Sequence, residues 1–544
     1  MAWYTALTYA AAITCCFLLC KGEKEVPPNI VMIVADDMGW DDVSFHGSDQ
    51  IMTPNIDLLA YSGIALGRYY SHCVCTPSRA ALLTGKYGYK TGMQGYPLTN
   101  SEDRGLPVSE KLLPEYLKEL GYATHLVGKW HLGQARSKYL PTVRGFDSHF
   151  GHRCGYVDYY EYSYQERWIT GSVSGICLFR NLSVAWDAEG YLTDLYTNEA
   201  KSVIKQHDET TPLFLMVAHN APHSAHEGAL LQAPPEDIRA MRHVELPERR
   251  IYAAMMKKLD DSVGDIVEAL LQKGILEKTI IVFISDNGGM TSGKFLNYAS
   301  NWPLRGLKMS PYEGGVRVAG LIWNSGYWGA NHLWNGYMHV VDWLPTLLRA
   351  AGSESPLNID GLDLWDSIHF NRNSPREEIF EIDDYDGFAS YTSGDFKLII
   401  SNNTITYSDH QGDNLRGIIG NKQSYENAIK LSKIYTILNE IHRPFQTNDT
   451  NLRDRIKIKC SNRDKRKDEI CHPEEGKVCL FNIKNDPCEI EDLTKTYPEV
   501  VDRMWNRLRE EITKKISRVV PLFRDPRSEP KLFNYTWNVW ADNI

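Results

Sequence analysis

NIVMIVADDMGW (residues 29–40) is a strand-length run, apolar on both faces a strand would present, that halts at Asp36-Asp37 and a glycine turn. The plan recurs as ATHLV (123–127) before Gly128-Lys129-Trp130-His131, LFLMVA (213–218) before the segment from His219 to His223, and TIIVFIS (279–285) before Asp286-Asn287. Strands without polar alternation are covered on both faces, which predicts parallel pairing with helical crossovers. Helical stretches lie where that arrangement needs them: residues 112–120 end at Gly121 and the periodic stretch 250–273 ends at Gly274, each just ahead of an apolar run. Open α/β sheets gather ligands at the carboxyl ends of their strands, so all four polar clusters are expected on one rim, although they lie up to 250 residues apart.

Beyond residue 375 the texture becomes turn-rich, as in YDGFASYTSGDFKLII (385–400), and predicts a small antiparallel domain. The expected organisation is therefore α/β: a large mixed, mostly parallel sheet flanked by helices over residues 21–375, and a small C-terminal antiparallel α+β domain over 376–544. Residues 401–475 are polar, with one helical stretch near 424–440, and are expected to decorate the small domain's surface. An amphipathic helix near 497–518 and the aromatic tail LFNYTWNVW (532–540) are expected to pack back on the body.

The chain has 544 residues, 43% hydrophobic and 24% charged, which is ordinary globular composition with room for a large core. A net charge of -10 argues against a nucleic-acid or anionic-membrane binder, so any anionic substrate must meet a local basic pocket. Residues 3–20 (WYTALTYAAAITCCFLLC) read as the core of a signal peptide over 1–20, too short and too interrupted for a stable membrane span. With sequons at Asn181, Asn402, Asn448 and Asn534, they predict a glycosylated product of the secretory pathway, lysosomal or secreted. Cys154 with Cys177, and the late group Cys460, Cys471, Cys479 and Cys488, suit local disulfides in that compartment; the late spacings do not form the paired knuckles of a zinc site.

Cys75-Thr76-Pro77-Ser78-Arg79, followed by Ala-Ala-Leu-Leu-Thr-Gly, predicts a helix start with Thr76 as N-cap and Pro77 in the first helical position. Cys75 then sits just outside a helix N-terminus, where unpaired N–H groups and the dipole favour an anion, and Arg79 follows one turn later. A buried cysteine beside a well-capped helix fits the same residues.

This segment resembles the signature of the type I sulfatases, and the chain is similar to their arylsulfatase B-like branch. The neighbouring motifs resemble that family in content and order: Asp36-Asp37-Met-Gly-Trp, Gly128-Lys129-Trp130-His131-Leu-Gly, Asn220-Ala-Pro-His223, Asp286-Asn287-Gly-Gly, Asn301-Trp-Pro-Leu-Arg-Gly-Leu-Lys308 and Glu313-Gly-Gly-Val-Arg317. The likeness covers residues 28–370 well and thins beyond them.

The resemblance implies an alkaline-phosphatase-like topology and hydrolysis of a sulfate ester. It implies that Cys75 is converted to formylglycine by the formylglycine-generating enzyme, and that one geminal hydroxyl of the hydrated aldehyde attacks sulfur while the other later expels sulfate. Asp36, Asp37, Asp286 and the amide oxygen of Asn287, with residue 75, would hold a metal. These hard oxygen ligands suit Ca2+ or Mg2+ rather than zinc, and the resemblance selects Ca2+. Arg79 would stabilise the nucleophile, while Lys129, His131, His223 and Lys308 would hold the sulfate oxygens and protonate the departing alcohol. His223 is preferred for its place after the proline, with His219 and His226 nearby. Arg305 and Arg317 are expected as structural ion-pair partners and Cys73 as a buried, inert thiol. Residues 226–247 and 401–475 do not resemble the family and are expected to shape the entrance. The substrate stays open among an aryl sulfate, an N-acetylgalactosamine 4-sulfate and another glycoside sulfate such as a glucosinolate. Two rivals remain: a phosphohydrolase of the wider superfamily, which needs histidines on two zinc ions and a Ser or Thr nucleophile, and an inactive binder of sulfated glycans.

Overall fold

The computed structural model describes residues 27–168, 171–327, 333–353, 358–402, 422–444, 451–460, 470–518 and 524–542; the apolar stretch at 3–20 and the sequon at Asn448 lie outside them. In chain order the strands are β1 (Asn29–Ala35), β2 (Ile64–Tyr70), β3 (Ala123–Gly128), β4 (Ser148–His152), β5 (Ser163–Trp168), β6 (Gly171–Ile176), β7 (Leu178–Arg180), β8 (Ser183–Val184), β9 (Leu213–Ala218), β10 (Thr279–Ser285), β11 (Gly320–Trp323) and β12 (Leu333–His339). Ten of them form one sheet in the order β12-β2-β11-β10-β1-β9-β3-β4-β7-β8, and β5 and β6 form a separate hairpin. The four apolar runs are the adjacent, mutually parallel strands β10, β1, β9 and β3 at its centre. Antiparallel pairs lie to either side, making the sheet mixed.

The reason for the unbroken apolar runs is visible in the core. Val31, Ile33 and Ala35 of β1 enter one hydrophobic cluster, while Ile30, Met32 and Val34 enter the other on the opposite face. The long helix Pro247–Lys273 covers the first face through Tyr252, Met255, Met256, Leu259, Val263, Ile266 and Leu270, at spacings of three and four. The helices Cys75–Thr84, Leu113–Glu119 and Trp343–Ala350 cover the second. The long helix starts three residues ahead of the expected position 250 because Pro247 takes its first turn, and its stop at Gly274, in left-handed conformation at φ 80°, is the expected one.

A second sheet pairs β13 (Glu378–Asp383), β14 (Phe388–Ser393), β15 (Phe396–Ser401) and β16 (Val478–Asn482) in antiparallel order, with the helix Pro498–Ile512 against it. Residues 422–440 depart from expectation. They form two helices, Lys422–Leu431 and Lys433–Glu440, divided at Ser432, whose hydroxyl caps the second by accepting from the Tyr435 N–H. They lie on the large sheet's helices rather than on the small domain: Ile429, Ile434, Ile437 and Leu438 join the first hydrophobic cluster. The Tyr425 hydroxyl donates to buried Asp57 at 2.5 Å and meets the Tyr61 hydroxyl at 2.5 Å. An amphipathic pair buries its apolar face wherever matching surface exists, and the helix Pro54–Ser62 provides it. The aromatic tail packs inward, with Trp537 donating to the Tyr164 carbonyl and Trp540 to that of Asn100. Disulfides join Cys154 to Cys177, Cys460 to Cys488 and Cys471 to Cys479, while Cys73 and Cys75 are free and buried. Among the described residues no helix is long and apolar enough to cross a membrane.

Candidate active site

The carboxyl ends of β1, β3, β9 and β10 and the start of the Cys75–Thr84 helix meet in one buried place. Cys75 is the helix's first residue rather than its outer neighbour, and Val74 stands at the cap without a side-chain bond. Thr76 does not cap the helix because its hydroxyl is used elsewhere, accepting from the Leu98 N–H at 3.1 Å and lying 3.3 Å from His131 Nε2. Gly128 turns the chain out of β3 at φ 103°, where a Cβ would come within 1.9 Å of the Ala218 carbonyl oxygen, so only glycine delivers Lys129 here. Asp37, His131 and Met309 hold left-handed φ values of 62°, 56° and 68°, local strain gathered around the predicted site.

Each carboxylate has a cation. Lys129 Nζ lies 2.6 Å from Asp36 Oδ2, Lys308 Nζ lies 2.6 Å from Asp37 Oδ1, and Arg79 Nη2 lies 2.8 Å from Asp286 Oδ2. Three positive and three negative side chains therefore cancel inside a buried site. Burial raises the Asp37 carboxyl, but the Lys308 charge and hydrogen bonds from Lys308 and Asn287 win and hold it at about 2. Burial and the facing Asp36 carboxylate push Asp286 up to about 6 against the pull of Arg79. Burial also raises the Cys75 thiol and drives His131 well below its ordinary value.

His223 is brought to the site and His219 is not. His223 Nε2 lies 3.2 Å from Lys308 Nζ and 3.4 Å from Asp37 Oδ2, and burial lowers the ring to about 3, so it is neutral. His219 turns to Ser262 of the long helix, at 3.1 Å, and His226 pairs with Asp158 at 3.1 Å. Arg317 faces Glu313 at 3.6 Å, Arg305 donates to the Glu489 and Cys471 carbonyls, and the Cys73 thiol meets Glu381.

The donor set can be tested against a hard cation. Single ligand atoms of Asp36, Cys75 and Asp286 lie within 4.8 Å of one another, as do those of Asp36, Asp37 and His223. Asp36 Oδ1 and Asn287 Oδ1 are buried without a hydrogen-bond partner, an arrangement costly in a finished core. The Asn287 amide spends its N–H groups on Asp37 Oδ1 and the Gly288 carbonyl, which leaves its oxygen as the free donor to a metal. A divalent ion would turn the neutral side-chain set into one of net charge about +2, suited to an anionic ester.

Above this floor opens a cleft that reaches Cys75, His131, His223 and Lys308. Its walls are residues that no sequence motif marked: Tyr96, Tyr156, Tyr164, Phe295 and Arg524 come from loops, the β5–β6 hairpin and the C-terminal tail. Of the two stretches expected at the entrance, 226–247 contributes Glu227, whereas the described part of 401–475 contributes nothing to the lining.

A model of the sulfatase family matches residues 28–353. Arylsulfatase J of Mus musculus is 34% identical over 522 residues, covering 94% of this chain and 80% of that protein. N-acetylgalactosamine-6-sulfatase of Mus musculus is 35% identical over 372 residues, covering 64% and 67%. Among solved structures, Ps i-CgsB in complex with k-i-k-neocarrahexaose is similar with a TM-score of 0.70 at 27% identity, over 93% of this chain and 97% of that one. The mixed sheet and its flanking helices are alkaline-phosphatase-like, as in such neighbours. With its motif residues converged and both its sequence and its fold matched, the chain belongs to the sulfatase family and is a hydrolase of sulfate esters.

Proposed function

We propose that Cys75 acts after conversion to formylglycine by the formylglycine-generating enzyme, and that the ester cleaved is an aryl sulfate, an N-acetylgalactosamine sulfate or another glycoside sulfate. The observation that carries this reading is the gathering of Asp36, Cys75 and Asp286 ligand atoms within 4.8 Å, with Lys129 and Lys308 beside them. The aldehyde hydrate at position 75 provides an attacking hydroxyl and a second hydroxyl whose deprotonation expels sulfate. Ca2+ held by Asp36, Asp37, Asp286, Asn287 and residue 75 would supply Lewis-acid stabilisation of the attacking oxygen.

The remaining work falls to the chain's own side chains. Arg79, fully buried beside residue 75, favours the alkoxide. Lys129 and Lys308 hold the sulfate oxygens. His223 Nδ1 donates to the Ser224 carbonyl at 2.5 Å, so Nε2 accepts from Lys308, and this pair holds the proton for the leaving alcohol. His131 Nε2 donates to the Leu98 carbonyl at 3.0 Å, leaving Nδ1 bare and without a partner to accept the second hydroxyl's proton.

The three disulfides and the exposed Asn181 and Asn534 sequons support maturation in the secretory pathway, with a lysosomal or extracellular product. The catalytic unit is assigned to 21–375 and the small unit to 376–544. Peptide mass spectrometry across residues 72–86 tests the modification, and Cys75→Ala is expected to abolish sulfate release with the circular dichroism spectrum unchanged. An unmodified thiol in secretory-pathway material that still releases sulfate ends this reading.

A further inference from the structure

Three aromatic rings enclose the space in front of the Lys308 and His223 pair. Tyr156 lies nearly parallel to the His223 ring, with centroids 5.5 Å apart and an interplanar angle of 11°. Tyr164 meets Tyr156 edge-on at 5.0 Å and Phe295 tilts against it at 5.8 Å. These rings are held from behind. The Tyr156 hydroxyl donates to the Gln165 carbonyl at 3.0 Å, and Tyr164 packs on Trp537, whose indole N–H donates to the Tyr164 carbonyl. The hairpin that carries Tyr164 is joined at Cys177 by the disulfide to Cys154. Tyr156 therefore lines the cleft as part of a ring cluster on His223 and spends its hydroxyl elsewhere.

The rim charges are largely matched among themselves. Arg524 lies 3.3 Å from Glu166 and Lys294 lies 2.8 Å from Glu227, so Arg167 with these four gives the rim a net charge of one. A glycan carrying a sulfate or uronate on each successive sugar needs several unmatched cations along its track, because paired ones have already spent their attraction.

Resting on the sulfatase reading of the floor, we propose that Tyr156, Tyr164 and Phe295 select an uncharged leaving alcohol that presents one flat apolar face. That face is an aromatic ring or the C–H face of a neutral sugar, and the substrate is a monosulfate rather than a polyanionic chain. Departure of the alcohol past Tyr156 places its oxygen beside the Lys308 proton while its body stays stacked.

The test uses the full chain and its Cys75→Ala variant, which binds without turnover. Calorimetry is run with 4-methylumbelliferyl sulfate and with a chondroitin 4-sulfate tetrasaccharide. The aryl ester is expected to bind at least about tenfold more tightly. Phe295→Ala in the same background is expected to weaken the aryl ester about tenfold and the tetrasaccharide less than about twofold, with Phe295→Leu between the two. Equal or tighter tetrasaccharide binding, or an equal loss of both ligands in Phe295→Ala, overturns the proposal. Wild-type sulfate release separates the two readings: tight aryl-ester binding with no release from any ester sinks the catalytic reading and supports this one. Release chiefly from the tetrasaccharide sinks this one alone.

Discussion

Lys397→Met is expected to loosen the joint between the two sheets, and more so at neutral than at acid pH. Lys397 on β15 is buried with its Nζ 3.0 Å from Glu313 and 2.9 Å from Glu489. Glu313 also accepts from the Tyr70 hydroxyl at 2.8 Å, and its own N–H donates to Glu489, so the cluster ties the small sheet to the segment that follows Lys308. Methionine keeps the stem but leaves two buried carboxylates facing each other, a break worth about 3–5 kcal/mol. With an unfolding entropy of about 2.1 cal/mol/K per residue, 544 residues give about 1.1 kcal/mol/K, so Tm falls by about 2.5–4.5 °C. Burial pushes Glu489 up to about 7 from 4.5 even with Lys397 present, and Glu313 adds to the rise. A folded value above the unfolded one contributes stability that is complete below about 4.5 and is lost as pH rises through about 7. Without Lys397 that loss deepens, so the calorimetric deficit is larger at pH 8 than at pH 5. A deficit under about 1 °C, or one equal at both pH values, refutes the reasoning.

His223→Ala is expected to lower turnover by about 10²–10⁴-fold, while His219→Gln, facing Ser262, stays within about threefold; equal losses would remove the distinction between them. Chelation is expected to lower both Tm and sulfate release, with Ca2+ restoring both, and saturation at a hundred times Kd is worth about 2.7 kcal/mol; recovery with Zn2+ but not Ca2+ contradicts the oxygen donor set. Tyr425→Phe removes one donor from Asp57, a carboxyl that burial already raises to about 6, and costs about 1–2 kcal/mol. Because that folded value lies above the ordinary 3.8, the Asp57 contribution is full below about 4 and fades as pH climbs through 6, so hydrogen exchange across 422–440 should quicken more at pH 8 than at pH 5.

Much of the site was legible because its residues sit beside strong local signals. Asp36, Asp37, Asp286 and Asn287 follow apolar strands and Lys129 follows a glycine turn, so the parallel block at the sheet's centre brings them together, while Cys75 and Arg79 begin the helix that follows β2 of the same sheet. Period, strand length and helix stops are properties of neighbouring residues, and they survive folding intact. The Thr76 cap failed for the opposite reason: its hydroxyl had better partners, Leu98 and His131, from distant segments.

The aromatic walls, the destination of helices 422–440 and the Lys397 cluster carry no such mark. Tyr156, Phe295 and Arg524 are ordinary residues on loops and a tail, and their meaning arises only when distant chain segments share one cleft. Hydrophobic burial acts without direction, so periodicity says that a face will be covered but not by what. Which chain segments meet follows from competition among all surfaces at once. That is why the catalytic floor can be read from short patterns, whereas the rim that chooses the substrate had to be seen assembled.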